Sequence, residues 1–535
     1  MQSLKMKVFL LYNILFFFIL SNLTAQNNGQ LTGTVTDEYS HPLLGATIIL
    51  NNGRYGATTN RKGIFMFNNL PGEKYVIQVS FLGYESYEDT VFTKMTDNLT
   101  IKLLSKAKLL DEVVINESSR TNLKKEYSMP VKIVNKAFLT ENIAGSLMQT
   151  LSRLPGVSSM DIGSGQSKPV IRGLGFNRVV VAENGVKHEA QEWGADHGLE
   201  IDQFSVERVE VLKGPASLMY GANAIGGVID LKQISTPARH SRGGSVLLNT
   251  QTNNNLYGLS AKYFTRNDHF YFKSHFSLSL YADYKVPTDS IEYMSYYFRL
   301  KNKRLRNTAG NEKSAGITLG FLNNGFSSHL SFSDVFAESG FFANAHGLEI
   351  RNSAIDYDRS TRDIDLPSQQ VNHFKILSNS IWFIQDYQLN VDLAFQNNYR
   401  QEFSEAISHG HMPVPPDSLE RLYNKNTWTG NIRFEFPKHG MHRFSTGINT
   451  EYQQNLIGGW GFILPAYKGF TGGIFAYDNI RFSEKWMLNA GIRYDIGTLK
   501  TEAYYDWYAT PQGNETSLYT QRSIPLKRTF NSLSW

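Results

Sequence analysis

Between Lys187 and Gly198 the sequence reads KHEAQEWGADHG, which gathers His188, Glu189, Glu192, Asp196 and His197 into one short stretch. Imidazole and carboxylate are the side chains that hold Zn2+ and similar borderline divalent ions. Two further histidine-bearing stretches lie far downstream, Ala345-His346-Gly347-Leu348-Glu349 and Ser408-His409-Gly410-His411-Met412. A ligand set divided among distant segments suits carriage, because a closed four-ligand structural site holds zinc too firmly to release it. Two other readings compete with this one. His188 and His197 can simply hydrogen-bond within a solvated loop, and Trp193, Trp460 and Phe341-Phe342 can stack on an aromatic chelator that brings its own metal ligands. Catalytic templates fail. His188-Glu189 begins like HExxH, but position 192 is Glu where the second histidine is required. There is no GxxxxGK[ST] phosphate loop, and Gly173-Leu174-Gly175 lacks the third glycine of a dinucleotide loop. No enzyme and no resident cofactor is expected; a metal enters only as cargo.

The elements that must position these residues begin after an export signal. Lys5 and Lys7 precede an apolar run from Val8 to Leu20, and Ser-Asn-Leu-Thr-Ala ends at Ala25. That run is shorter than the roughly 20 residues a spanning helix needs, so residues 1–25 read as a cleavable secretory signal. The 535 residues contain no cysteine, which excludes disulfides, thiol redox chemistry and a cysteine-borne lipid. A net charge of +5 without a long basic block gives nucleic acid no binding surface. Aromatic content of 13% with a mean hydropathy of −0.32 fits membrane strands, whose lipid-facing and water-facing residues alternate and average out.

Residues 26–105 read as a small all-β sandwich with strands at Leu31 to Thr36, Ala46 to Leu50, Gly63 to Phe67, Tyr75 to Phe81 and Leu99 to Leu103. Asn51-Asn52-Gly53, Asn60-Arg61-Lys62-Gly63 and Pro71-Gly72 supply the turns. The order GTVTD, PLLGATI, GATTNRKGIFMF, LPGEKYVIQVSFLGYE resembles the carboxypeptidase regulatory-like domain that precedes many transporters of Bacteroidetes type. No ligand cluster or nucleophile and base pair is visible in it, so it reads as a spacer or interaction module.

Residues 106–127 form a linker that carries Leu110, Asp111, Glu112, Val113, Val114 and Ile115. A short extended stretch of this kind can add as a strand to a partner's sheet edge. LDEVVI resembles a TonB box, which implies a periplasmic TonB energy-transducing protein as partner. Residues 128–235 then present five pieces in order: an apolar helical pattern over Asn142 to Leu154 ending in LPGV, then VIRG from Val170, RVVVAEN from Arg178, VERVEVLKGP from Val206, and SLMYGANAIGGVIDL from Ser217. Together they resemble the TonB-dependent receptor plug. Zinc-uptake receptors of that family carry an Asp-His pair at this place before the VERVEVLKGP piece, and Asp196-His197 is similar to it. The downstream loops depart from some of those receptors in lacking long histidine-rich tracts.

Residues 236–535 alternate in longer segments: Ser245 to Thr250, Leu259 to Phe264, Phe270 to Leu280, Gly316 to Leu322, Ser328 to Phe332, Gln388 to Gln396, Asn431 to Phe436, Phe444 to Tyr452, Gly473 to Phe482 and Lys485 to Tyr494. Polar stretches over 283–313, 337–377, 399–426 and 453–470 read as the long outer loops, and turns such as Asn323-Asn324-Gly325 as the short inner ones. Trp382, Trp428, Tyr477 and Trp486 suit interfacial girdles. The fold class is therefore mainly β: a sandwich, a mixed α/β plug and the first part of an antiparallel transmembrane barrel, monomeric and in the outer membrane. The family closes its barrel with about 22 strands, against roughly a dozen here, so the chain is expected to stop midway. The resemblance implies energy-coupled uptake of a scarce nutrient. A divalent metal such as zinc, a ferric siderophore, and a non-transporting docking or adhesion barrel remain as alternatives.

Overall fold

The computed structural model describes residues 29–103 and 132–535, apart from 38–39, 52–53, 82–83, 85, 94–98, 192–196, 222, 234, 294–295, 342–359, 409, 484–485 and 514–515. The expected signal at 1–25 and the tether Leu110 to Ile115 lie outside the described residues. The chain divides into two compact units, Met1–Val114 and Ile115–Trp535.

In the first unit, alternation at period two buries one face of each strand. Ile64–Leu70 pairs antiparallel with Gly29–Thr36, which pairs parallel with Leu99–Lys102. A second sheet runs in the order Tyr55–Thr58, Thr47–Leu50, Lys74–Ser80, Tyr87–Phe92. Val35, Phe65 and Ile101 from one sheet and Ile48, Leu50, Ile77 and Val79 from the other share one core. The sequence pattern misses the edge strands Tyr55–Thr58 and Tyr87–Phe92, whose inward side is only Tyr55 and Ala57 in one and Tyr87 and Val91 in the other. Gly63 closes the hairpin at φ +73°, where a Cβ would sit 2.5 Å from the Val35 carbonyl oxygen.

The second unit opens with the plug. Its five-stranded sheet runs Val186–Lys187, Val179–Glu183, Gly227–Lys232, Arg208–Leu212, Lys132–Val134. Val179–Glu183 and Gly227–Lys232 are parallel, and the other pairs are antiparallel. Both parallel strands are buried along their whole length, as expected of strands covered on two faces. The helical pattern over 142–154 shortens to a five-residue helix, Leu147–Leu151, preceded by a separate helix at Lys136–Glu141. The cause is local: the Ser146 side chain caps the second helix by accepting from the Gln149 amide, and at Gly145 a Cβ would meet the Ser164 carbonyl. Leu147, Met148 and Leu151 pack on Val181, Val209, Val211, Ile229 and Leu231 to make the plug core.

Twelve antiparallel strands follow in sequence order in one sheet, from Arg242–Gln251 to Leu526–Ser534. Short turns at 267–269, 324–325, 385–386, 436–441 and 482–486 alternate with the connections 282–309, 341–367, 404–418, 459–466 and 502–525. The loops expected over 337–377, 399–426 and 453–470 are therefore too long. Strands of 17 residues, Ser368–Ile384, Tyr387–Phe403, Leu419–Glu435 and His442–Gly458, run well into them. A membrane crossing needs only about 9–11 residues, so the excess leaves the apolar band, where alternation in hydrophobicity stops but hydrogen bonding continues. Ser368–Ile384 escaped the sequence pattern altogether, since Gln369, His373, Lys375 and Asn379 line its inner face and Asn372, Ser378 and Ser380 interrupt its outer one.

Exposed Leu393, Ile432, Ile448, Ile474 and Ile492 form an outer apolar face. Aromatic belts bound it. At the short-turn end Phe270, Phe321, Phe326 and Trp382 follow one another with centroids 5.0, 6.0 and 4.9 Å apart, and Phe434, Phe436 and Phe444 continue the belt at 4.9 and 5.2 Å. Toward the other end Phe395, Trp428, Tyr452 and Phe470 stand side by side in register. From Trp428 to Phe436 the chain advances roughly 26 Å at ~3.3 Å per residue, which a strand tilt of about 40° turns into roughly 20 Å of height, comparable with the ~25 Å apolar band of outer-membrane barrels.

Candidate functional site

The sheet wraps the plug, and the seam between them is polar. Lys262, Lys273, Lys375, Gln396, Lys425, Asn455 and Arg493, from seven different strands, each reach a plug atom. Inner-face residues recur every second position, as the pleat requires, so His373 with Lys375, and Arg400 with Glu402, point to the same side.

The plug segment from Glu183 to Glu200 is the richest part of this seam. Gln396 receives the Glu189 amide at 3.1 Å and donates to the Lys187 carbonyl at 2.8 Å, reading the plug backbone directly. Glu189 lies between Lys187 and Lys425, with Lys425 Nζ at 2.5 Å and Gln453 donating at 2.8 Å. Burial alone would raise its pKa, but the two ammonium groups bring it down to about 2. His188 Nδ1 sits 3.0 Å from a Glu183 carboxylate oxygen, and Lys375 pairs with the same oxygen. Glu183 is likewise held well below the usual carboxylate range, burial being outweighed by Lys375 and His188. His197 lies 2.7 Å through Nε2 from Glu402 of the barrel wall and 2.9 Å through Nδ1 from the Gln191 carbonyl. Arg421 donates to the other Glu402 oxygen at 3.0 Å.

The metal-capable residues named from sequence are thus partly reunited and partly separated. His188, Glu189 and His197 all face the barrel wall, but each in its own group: His188 with Glu183, Glu200 and His373, Glu189 with lysines, His197 with Glu402. His411 is exposed on a turn of the 404–418 connection. Glu192, Asp196, His346 and His409 lie outside the described residues. Sequence reasoning missed Glu200, His373, Lys375, Arg400, Glu402 and Lys425. The available signal was charge at alternate positions of a strand, which a globular strand facing an apolar core would not carry.

Glu207 gives a pH test of the seam away from these histidines. Its carboxylate meets Lys273 at 3.1 Å and receives the Ser235 hydroxyl. Burial opposes ionisation, yet Lys273, Ser235 and Lys262 outweigh it and hold the pKa below the ordinary value. A lowered folded-state pKa stabilises above the unfolded pKa and loses that stabilisation as pH falls through the folded one. Thermal unfolding in detergent should therefore show a midpoint that drops as pH falls below the ordinary carboxyl range, less steeply in Glu207→Gln. Equal slopes would remove Glu207 from the seam's stability.

A wall of twelve antiparallel strands, apolar and belted outside and polar inside around a folded insert, has the architecture of part of a plugged outer-membrane-type β-barrel. Residues 123–228 match the TonB-dependent Receptor Plug Domain, and residues 31–115 match the CarboxypepD_reg-like domain. These two segments are similar, in that order, to the plug and N-terminal domains found in TonB-dependent receptors. The chain is 28% identical over 182 residues to a hemin receptor of Yersinia pestis, covering 33% of this chain and 27% of that protein. It is 34% identical over 140 residues to the vitamin B12 transporter BtuB of Vibrio vulnificus, covering 26% and 23%. Among solved structures it resembles the copper transporter OprC at TM-score 0.56 and 12% identity, over 75% of this chain and 59% of that one. The hemophore receptor HasR of Serratia marcescens aligns at TM-score 0.54 and 16% identity, over 76% and 60%. The chain's match therefore spans about a quarter of the length of these curated relatives. They are receptors and transporters, in line with the absence of a catalytic template. They are named for hemin and vitamin B12, where the sequence resemblance pointed to zinc.

Proposed function

We propose that this protein is an outer-membrane receptor that takes up a metal-bearing nutrient by energy-coupled movement of its plug, with a periplasmic TonB protein gripping Leu110 to Ile115. The observation that carries this reading is the seam itself: a folded plug held in a barrel by hydrogen bonds and ion pairs that water can replace one at a time. An apolar interface of the same area would resist sliding. For the cargo, a divalent ion such as zinc is favoured by His197 and Glu402, an imidazole from the plug 2.7 Å from a carboxylate of the wall, directly after Asp196. Ligands split in this way part when the plug moves. A metal chelate is the second reading, favoured by relatives named for hemin and vitamin B12.

Radiolabelled zinc uptake by cells expressing the protein tests both parts. Asp196→Ala with His197→Ala should reduce uptake at least about tenfold, in the range expected for lost metal ligation. Deleting residues 110–115 should abolish uptake while leaving surface binding of zinc intact. Unchanged zinc uptake in the double variant, with binding of a ferric chelate lost, would transfer the cargo to the chelate class. Undiminished uptake after the deletion would refute energy coupling through that segment.

A further inference from the structure

We infer that His188, Glu200 and His373 form a second metal site, for a divalent ion of the zinc class, which pins the plug to the barrel wall. It goes beyond the uptake reading and does not depend on it. One ring nitrogen each of His188 and His373 and a Glu200 carboxylate oxygen all lie within 4.8 Å of one another, and the His188 Nε2, His373 Nε2 and Glu200 Oε2 atoms are all buried. His188 is 1% exposed, Glu200 5% and His373 0%. None of these three atoms has a hydrogen-bond partner among the described residues. Two imidazole nitrogens and a carboxylate oxygen facing each other in a dry site are costly unless something positive stands between them.

The other end of each ligand is fastened, the arrangement that orients metal-binding side chains. His188 Nδ1 lies 3.0 Å from the Glu183 carboxylate, an acceptor only, so Nδ1 carries the hydrogen and Nε2 of the neutral ring presents its lone pair inward. Glu200 receives Arg400 on its first oxygen at 2.5 Å, leaving the second for the site. His373 Nδ1 lies 2.9 Å from the Asn398 amide. Asn398 Oδ1 has no partner, and with the amide turned over that oxygen accepts Nδ1–H and leaves Nε2 of His373 as a ligand.

The spacing is close to what the ion requires. Zinc bonds of about 2.1 Å place tetrahedral ligand atoms roughly 3.4 Å apart. His188 Nε2 and Glu200 Oε2 are already 3.7 Å apart, and the two rings lie 4.6 Å apart between centroids. The nearby fixed charges are paired off: Glu183 with Lys375, Glu200 with Arg400, and Asp202 with His275 Nε2 at 3.8 Å. With no cysteine in the chain, an imidazole and carboxylate set selects zinc and its neighbours over soft ions. Two ligands come from the plug, on either side of the 192–196 stretch, and the third from the strand Ser368–Ile384. An ion here would tie the plug segment that includes His197 to the wall.

Cobalt(II) loading of the chelator-stripped, detergent-solubilised protein tests the site, read by visible ligand-field bands and by metal analysis after dialysis. His373→Gln and His188→Gln should each remove about one tightly bound ion per chain, and Asn398→Ala should weaken it about 10–100-fold. His197→Gln should leave that ion in place. Zinc should raise the thermal midpoint of the wild type but not of His373→Gln, whose circular dichroism must match the wild type. Bound cobalt unaltered in His373→Gln, or none in the folded wild type, would overturn the site and leave a proton shared by His188 and its carboxylates. Loss in His197→Gln alone would move the ion to the cargo position and equally overturn it. Cobalt bound as expected in a protein that takes up no metal would refute the uptake reading alone.

Discussion

Arg400→Met is expected to cost the seated plug about 3–5 kcal/mol, the usual penalty for stranding one charge of a buried pair. Arg400 is 1% exposed in its side chain and Glu200 4%, and Arg400 also reaches Gln369 on the neighbouring strand. Methionine fills most of the volume, so the loss reports charge and not a cavity. The measurement is protease cleavage within the plug of the detergent-solubilised protein. Faster cleavage is expected. Adding Glu200→Leu should restore much of the resistance, since removing both charges is far cheaper than removing one. If the single variant cleaves at the wild-type rate, the ion pair does not hold the plug.

Ile229→Asp should act from the other side, by unfolding the plug rather than unseating it. Ile229 is fully buried in the middle of the plug sheet, paired with Val181 on one side and Val211 on the other. A carboxylate there has no donor to meet it and costs several kcal/mol whether it ionises or takes a proton. The twelve wall strands make their own ladder and should still assemble, giving a protein of wild-type strand content whose plug is open to protease. Wild-type resistance of the plug to cleavage would show that it tolerates the charge. Ile229→Val, losing one methylene, should cost only about 0.5–1.5 kcal/mol and stay resistant.

The sequence makes the plug legible because its constraints are local. VERVEVLKGP and SLMYGANAIGGVIDL contain complete strands and their turns, and Gly214, Gly221 and Gly227 stand at positive φ where other residues would be strained. The barrel is legible only inside its apolar band, which is why Gly316 to Leu322 grows to Gly310–Asn323 in the structure. The seam is the least legible part. Glu200 stands three positions after His197, but nothing marks it as the partner of Arg400 or the neighbour of His373, because those contacts are set by barrel register across some two hundred residues. His373 also lay in a stretch whose polar inner face reads as loop.

One modest feature of the plug bears on how it could be moved. Among the described residues its sheet ends on Lys132–Val134, an edge strand paired at three positions to Arg208–Leu212. A load applied to the chain before residue 132 would reach this strand first. If it acted across the strand, the rungs would part in succession, and the yield force would reflect one or two hydrogen bonds at a time and not the strength of the whole sheet. The fully buried strands Val179–Glu183 and Gly227–Lys232 stay out of the load path until that edge has peeled. Mechanically, the plug sheet has a tear strip at its N-terminal edge.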